Sequence, residues 1–170
     1  GEDLSFDDIV IAAHADQAMA ILSDIDDTES SVLSEFPYSE NEIVLHTDTR
    51  LLPRKHLAWS SWNYRLRESN SRATLTYNMN ILQGINSPEN FCVTLNDTDA
   101  IDPKTILGEY RYAHPQFTIK GIAAQERWRD INGQRNTWFC GAYWRNGFHE
   151  DGLFSGNRVA DAIIKKRGLQ

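Results

Sequence analysis

The chain has 170 residues, of which 41% are hydrophobic and 24% charged, with a formal net charge of −7. That suffices for a folded domain with its own core, and the acidic balance speaks against a nucleic-acid partner, which calls for a basic face. No apolar run approaches a transmembrane span and no secretory leader pattern opens the chain, so a cytoplasmic protein is expected.

The chain opens on the acids Glu2, Asp3, Asp7 and Asp8. Ile9 to Ala13 then reads as a short buried strand of the parallel type. His14 follows, and a helix is expected over 16–22 with Asp16 as its N-cap. Asp24, Asp26, Asp27 and Glu29 superficially suggest a calcium loop. The glycine and the terminal glutamate spacing are missing, so a solvated surface is expected instead. A short helix over 28–35 ends before Pro37.

The middle of the chain reads as a largely antiparallel sheet of about five strands. These are expected at 43–48, 56–64, 73–77, 91–95 and 106–113, where β-branched and aromatic residues gather. Leu51-Leu52-Pro53 turns the chain, 65–71 is a charged loop, and 78–84 is a short helix. Pro88, Asp97, Asp99 and Pro103 separate the remaining segments. A helix over 118–130 closes at Asn132-Gly133. Cys92 and Cys140 each lie in an apolar, strand-like run and are expected as buried free thiols.

The last segment reads as strand, glycine-bearing turn and helix. The strand is expected at 138–140, Gly141 and Gly147 bracket the turn, and the helix runs from about 150 to 166. Glu150 and Asp151 suit its positive end, Lys165, Lys166 and Arg167 its negative end, and Gly168 its stop. One face carries Gly152, Ser155, Gly156, Val159, Ala160 and Ile163. Two glycines and a serine lower helix propensity there. Either tight helix–strand packing or the close approach of a backbone or flat ligand would account for them. The fold class is therefore α+β: a largely antiparallel or mixed sheet with helices, plus a terminal strand and a strand–helix piece.

These residues carry a family resemblance. Thr137 to Ala142, running on to Gly147-Phe148-His149-Glu150-Asp151-Gly152-Leu153-Phe154-Ser155-Gly156, resembles the end of flavin-containing amine oxidases, protoporphyrinogen oxidases and phytoene desaturases. His114-Pro115-Gln116-Phe117 and Gln125 resemble the segment before the last strand of those enzymes. His46-Thr47-Asp48-Thr49-Arg50-Leu51-Leu52-Pro53 and Ala58-Trp59-Ser60-Ser61-Trp62-Asn63-Tyr64 are similar to bacterial flavin-containing amine-oxidase-like proteins. The resemblance covers nearly the whole chain.

It implies an FAD-dependent oxidoreductase that moves hydride from a small-molecule substrate, an amine or a lipid- or isoprenoid-like compound, to flavin. It also implies that 1–22 and 125–170 are pieces of the FAD-binding half and 23–124 the substrate sheet. The GxGxxG unit that holds a dinucleotide pyrophosphate is absent from this sequence. The chain is therefore expected to be the C-terminal portion of a larger flavoprotein. Its partner would be the missing N-terminal FAD-binding half, and alone it would be inactive, bind FAD poorly and self-associate through uncovered apolar surface.

The implied cofactor contacts are Gly141, Glu150, Asp151, Gly152 and Leu153. The N–H groups of Asp151, Gly152 and Leu153 would face the flavin's pyrimidine edge, and Glu150 or Asp151 its ribityl hydroxyls. His14 would line the cofactor cleft or serve only as a turn residue. Departures from the family accompany this. Ala142 stands where amine oxidases carry a glutamate after the strand's glycine. Residues 41–52 offer His46 and Arg50 but no lysine for the flavin N5. Tyr112 and Tyr143 are the candidates for a flanking aromatic pair. No metal ligand set and no catalytic residue emerge. The alternative is an autonomous, non-enzymatic α+β binding module, favoured by the missing fingerprint.

Overall fold

The structure is a computed structural model and describes residues 3–66 and 74–168. In chain order it comprises β1 (Ile9–Ile11), α1 (Ala15–Ile21), α2 (Asp27–Leu33), β2 (Tyr38–His46), β3 (Trp62–Arg65), β4 (Thr74–Asn78) and α3 (Met79–Gln83). These are followed by β5 (Cys92–Leu95), β6 (Ile106–Pro115), α4 (Ile119–Glu126), α5 (Trp128–Ile131), β7 (Thr137–Phe139) and α6 (His149–Arg167). The chain forms two compact units, Gly1–Ser39 with Pro115–Gln170, and Glu40–His114. The divide falls at 39/40 and 114/115, whereas the sequence places it at 22/23 and 124/125. The reason is packing: Val32, Leu33 and Phe36 share one core with Ala124, Trp128, Ile131, Phe139 and Val159. No helix among the described residues is long and apolar enough to cross a membrane.

In the first unit, β1 pairs with β7 in parallel, Ile9 opposite Thr137 and Ile11 opposite Phe139. The expected parallel strand is present but not wholly buried. Ile11 is inside, while Ile9 and Val10 are 50% and 46% exposed, because among the described residues the sheet has two strands. His14, not Asp16, precedes α1 as its cap. Its ring stacks on Tyr38 at 4.4 Å, and the Tyr38 hydroxyl accepts from Ala15 N at 3.2 Å. Asp26 caps α2: its carboxylate accepts from Glu29 N at 2.8 Å, and Glu29 accepts from Asp26 N at 3.1 Å, a reciprocal capping box. The acidic stretch is the solvated surface expected at Asp24 and Asp27, which are exposed, but not at Glu29. Glu29 is buried, and the Arg135 guanidinium lies 3.4 Å from it while also pairing with Asp24.

The expected helix over 118–130 is two helices. Thr118 caps α4 by accepting from Gly121 N at 2.9 Å, and the backbone at Arg127, with ψ 12°, leaves the helical region before α5 begins. Gly133 then closes the segment in the left-handed region with φ 80°. Gly168 does the same after α6 with φ 65°, its N–H reaching the Ile164 carbonyl.

In the second unit the sheet order is β3-β4-β5-β2-β6. The β2–β5, β3–β4 and β4–β5 pairs are antiparallel. β2 starts at Tyr38 rather than at 43. The expected strand over 56–64 is only β3, because 56–61 are held in a compact turn. There Trp59 Nε1 donates to the Pro53 carbonyl at 2.7 Å, and the His56 and Trp59 rings stack at 4.2 Å. Residues 67–71 of the charged loop, and Ala73 of the third strand, lie outside the described residues. Cys92 and Cys140 are free and buried, as expected. The fold class is the one expected, α+β with a five-stranded sheet and a small parallel one.

Candidate functional site

The strand–glycine–helix segment is locked from inside. At Gly141 a Cβ would stand 2.5 Å from the Tyr143 ring, so only glycine lets that ring fold under the strand end. Its N–H donates to Ser155 Oγ at 3.1 Å. Gln125 Nε2 clamps the turn by donating to the carbonyls of Tyr143 and Arg145 at 2.8 and 2.7 Å. Gly147 takes φ +88° with the Phe117 ring 3.0 Å from where a Cβ would be, so both the backbone and the space call for glycine.

α6 starts at His149, one residue earlier than expected, and this changes which groups are free at its start. Asp151 is buried. Its carboxylate accepts from Phe148 N at 3.0 Å and lies 3.5 Å from Arg145. Asp151 and Gly152 both donate to the Phe148 carbonyl, at 3.0 and 3.2 Å. Leu153 N–H lies inside the helix and faces the His149 carbonyl one turn back, so all three N–H groups expected to face a ligand are engaged. The first-turn donors without an acceptor among the described residues are those of His149 and Glu150. Glu150 and Leu153 are exposed beside them, with Phe148 and Phe154.

The mixed face expected on α6 separates into two. Asp151, Ser155 and Val159 point into the unit. Gly152 and Gly156 point away from it: a Cβ on either would meet nothing within 4 Å. Ala160, one turn on, is exposed. Among the described residues nothing packs where a Cβ on either glycine would stand, and a stripe of small residues four apart lies open over the first half of the helix.

The other expected site residues do not gather. His46 is fully buried. Its Nδ1 accepts from Asp48 N at 3.1 Å, so Nε2 carries the proton and donates to Thr94 Oγ1 at 2.8 Å. Burial pushes its pKa down, against the opposing charge of Asp48. Arg50 is bound to Asp48, whose carboxylate also accepts from Asp102 N at 2.8 Å. The Arg50 hydrogen bond holds that carboxyl well below the usual range. Tyr143 is buried against Phe36, and burial drives its hydroxyl pKa far up. Tyr112 is exposed on β6 and stacks loosely on Tyr110 at 5.9 Å. Burial also raises the Cys92 thiol to about 11, so neither nucleophile nor base is poised among these groups.

The sheet of the second unit, expected as the substrate sheet, has one apolar face that the sequence did not identify. Its register sets two rows on one face, Tyr64-Leu75-Leu95-Ile43 and Trp62-Tyr77-Val93-Leu45. The opposite face carries Asn63-Thr76-Thr94-Val44 and Asn78-Cys92-His46. The polar rows are the buried ones: Thr76, Thr94, Asn78 and His46 are at most 3% exposed. His46, Thr94 and Thr76 are linked through the His46–Thr94 bond and a Thr76–Thr94 bond of 2.8 Å, whereas Asn78 Nδ2 is buried without an acceptor among the described residues. Trp62 and Tyr64 of the apolar rows are 49% and 61% exposed. The signal lay in the alternation along β4 and β5, but ordinary burial rules point it the other way.

No family model matches the chain, and no curated protein matches it in sequence. Among solved structures, the chain is similar to the crystal structure of CLA-producing fatty acid isomerase from P. acnes, with a TM-score of 0.57 at 16% identity. The match covers 91% of this chain and 41% of that one, so the chain spans about two fifths of the isomerase's length. At that identity the likeness speaks for the fold alone.

Proposed function

We propose that the chain is the C-terminal part of an FAD-dependent oxidoreductase acting on an apolar, lipid- or isoprenoid-like substrate, completed by an N-terminal FAD-binding half. The observation that carries this reading is the stripe Gly152, Gly156 and Ala160, which opens on empty space at the start of α6 directly after a parallel strand and its glycine turn. Each glycine costs the helix about 1 kcal/mol relative to alanine, and no contact among the described residues repays that. A flat ring lying against the stripe would. The N–H groups of His149 and Glu150 and the positive end of the helix favour negative charge on its edge. The Glu150 carboxylate suits hydroxyls rather than phosphate. Flavin, when bound, supplies hydride transfer.

The protein's own part is placement and exclusion of water. His46 and Cys92 are buried and Tyr143 is sealed in the core, so none of these three is placed to pass a proton to a substrate. The two apolar rows of the sheet, a surface of the second unit by itself, suit an aliphatic chain better than an amine, which favours the lipid-like class. The fatty acid named for the isomerase is of the same chemical class.

The test is Gly152→Val in the complete protein, read by FAD titration, flavin reduction potential and melting temperature. The expected result is weaker FAD binding or a lower potential with the fold retained, because a β-branched side chain would hold the ring off the stripe. Unchanged affinity and potential, with an equal or higher melting temperature, overturns the cofactor reading.

A further inference from the structure

A second feature of the first unit lies outside that site. α5 and the C-terminal half of α6 line an open groove of about 620 Å³. Trp128 and Ala162 form its apolar wall, and four cations, Arg129, Arg158, Lys165 and Lys166, line it against one acid, Asp161. This concentration of positive charge sits on a chain whose net charge is −7.

The helix end explains part of it. Lys165 and Lys166 lie in the last turn of α6, where the dipole favours cations. Lys166 is also engaged, donating to the Gly133 carbonyl and Asn136 Oδ1 at 3.0 and 2.8 Å. The two arginines have no such explanation. The Arg158 guanidinium lies over the Trp128 ring at 4.0 Å. Its pKa is lowered by burial and then by the charge of Arg129. Neither Arg129, Arg158 nor Lys165 has a hydrogen-bonding or anionic partner among the described residues. Elsewhere in this unit arginines are paired, Arg135 with Asp24 and Glu29, and Arg167 with Asp8. Trp128 Nε1 is itself buried without an acceptor among the described residues.

We propose that this groove binds the phosphate group of a phosphate-bearing ligand. A carboxylate brings one charge and two oxygens, enough for a single guanidinium fork. A phosphate monoester brings three oxygens and close to two charges at pH 7, which matches two guanidinium groups and a lysine against one acid. The Trp128 face and Ala162 leave room for an apolar portion of the same ligand. The source is a soluble phosphorylated molecule or the headgroup of an anionic phospholipid.

The experiment uses the full chain and two probes. Inorganic phosphate is titrated by calorimetry and by melting temperature against chloride at matched ionic strength. Vesicles of phosphatidylcholine with and without phosphatidylglycerol are sedimented with the protein. The variant is Arg129→Gln, at an exposed position that makes no ring contact. Arg158→Gln is the second. Phosphate should raise the melting temperature beyond chloride, and each variant should weaken phosphate binding about tenfold, the worth of one charge-assisted bond. Without phosphate, Arg129→Gln should melt no lower than the wild type, because it relieves repulsion; a purely structural arginine would lower it. Phosphate binding without vesicle binding identifies a soluble ligand, and binding to phosphatidylglycerol vesicles alone identifies the headgroup. If neither probe exceeds its chloride or neutral-vesicle control, or if both variants bind as the wild type does, the proposal is overturned.

Discussion

His46 illustrates how a residue suggested for chemistry is instead used for structure. Both ring nitrogens are engaged, Nδ1 accepting from Asp48 N and Nε2 donating to Thr94. Protonating Nδ1 would remove the first bond and place a charge in a fully buried site. The groups facing it are Asp48, whose charge opposes the shift, and Cys92, a neutral thiol on the neighbouring strand. Burial wins, and the folded pKa lies below the ordinary 6.5. The sign follows directly. Above pH 6.5 the ring is neutral in both the folded and unfolded chain, and its contribution to stability is complete. As pH falls from there toward the lowered folded value, the unfolded chain takes up a proton that the folded chain refuses, and stability drains away. The slope for one proton cannot exceed about 1.4 kcal/mol per pH unit. Urea melts at pH 7.5 and 5.5 should therefore show a loss in the wild type that is smaller in His46→Gln, which cannot titrate. An equal loss in both would mean that His46 does not carry the pH dependence.

At the scale of elements, α6 offers a test that separates stability from cofactor binding. Gly152→Ala and Gly156→Ala should each stabilise the chain by about 0.5–1 kcal/mol, because alanine is the better helix former and the added Cβ meets nothing within 4 Å. For a chain of this size that is a rise of about 2–4 °C in melting temperature per kcal/mol. Gly147→Ala is the control and should lower it, since φ is +88° and the Phe117 ring is 3.0 Å away. A loss of stability in either helix variant would mean the stripe is packed after all. What the sequence shows of such elements depends on whether the deciding contact is local. The end of α6 and its Lys-Lys-Arg-Gly stop are legible because cap and dipole act within a turn. The start is not fully legible. Asp151 reaches back to Phe148 N, and that bond sets the helix one residue earlier and decides which N–H groups stay free. Residues 56–61 read as strand from their aromatic content, whereas the Pro53 carbonyl, six residues back, captures the Trp59 indole and makes them a turn, a side-chain bond that no residue pattern announces. Arg127 breaks a helix with neither glycine nor proline to announce it. The alternation Thr74-Leu75-Thr76-Tyr77-Asn78 is plain. Which side is buried is set by the hydrogen bonds Thr76 and Thr94 make across the sheet, and those need the register.

The molecule as a whole combines a strong negative charge with uncovered apolar surface. β1 has β7 as its neighbour on one side only, and a parallel strand is normally covered on both edges and faces. Ile9 and Val10 are about half exposed on it. In the same unit Phe148, Leu153 and Phe154 stand out from the start of α6 at 54%, 59% and 47% exposure. Surface of this kind is removed from water by whatever covers it, with about 25 cal/mol gained per Å² of apolar area. Without its proposed FAD-binding half, the cover available in solution is a second copy, opposed by repulsion between chains of net charge −7. The two terms respond oppositely to salt, since salt screens the repulsion and leaves apolar burial intact. Sedimentation velocity should therefore show association that grows with protein concentration and also with salt. Val10→Lys should reduce it without lowering the melting temperature, because a half-exposed edge residue can hold its ammonium in water. Adding the FAD-binding half should reduce it as well, by occupying the same surface. A chain that stays monomeric at high concentration in high salt would show that this surface is too small or too divided to hold a partner, and would count against the proposed second half along with the self-association.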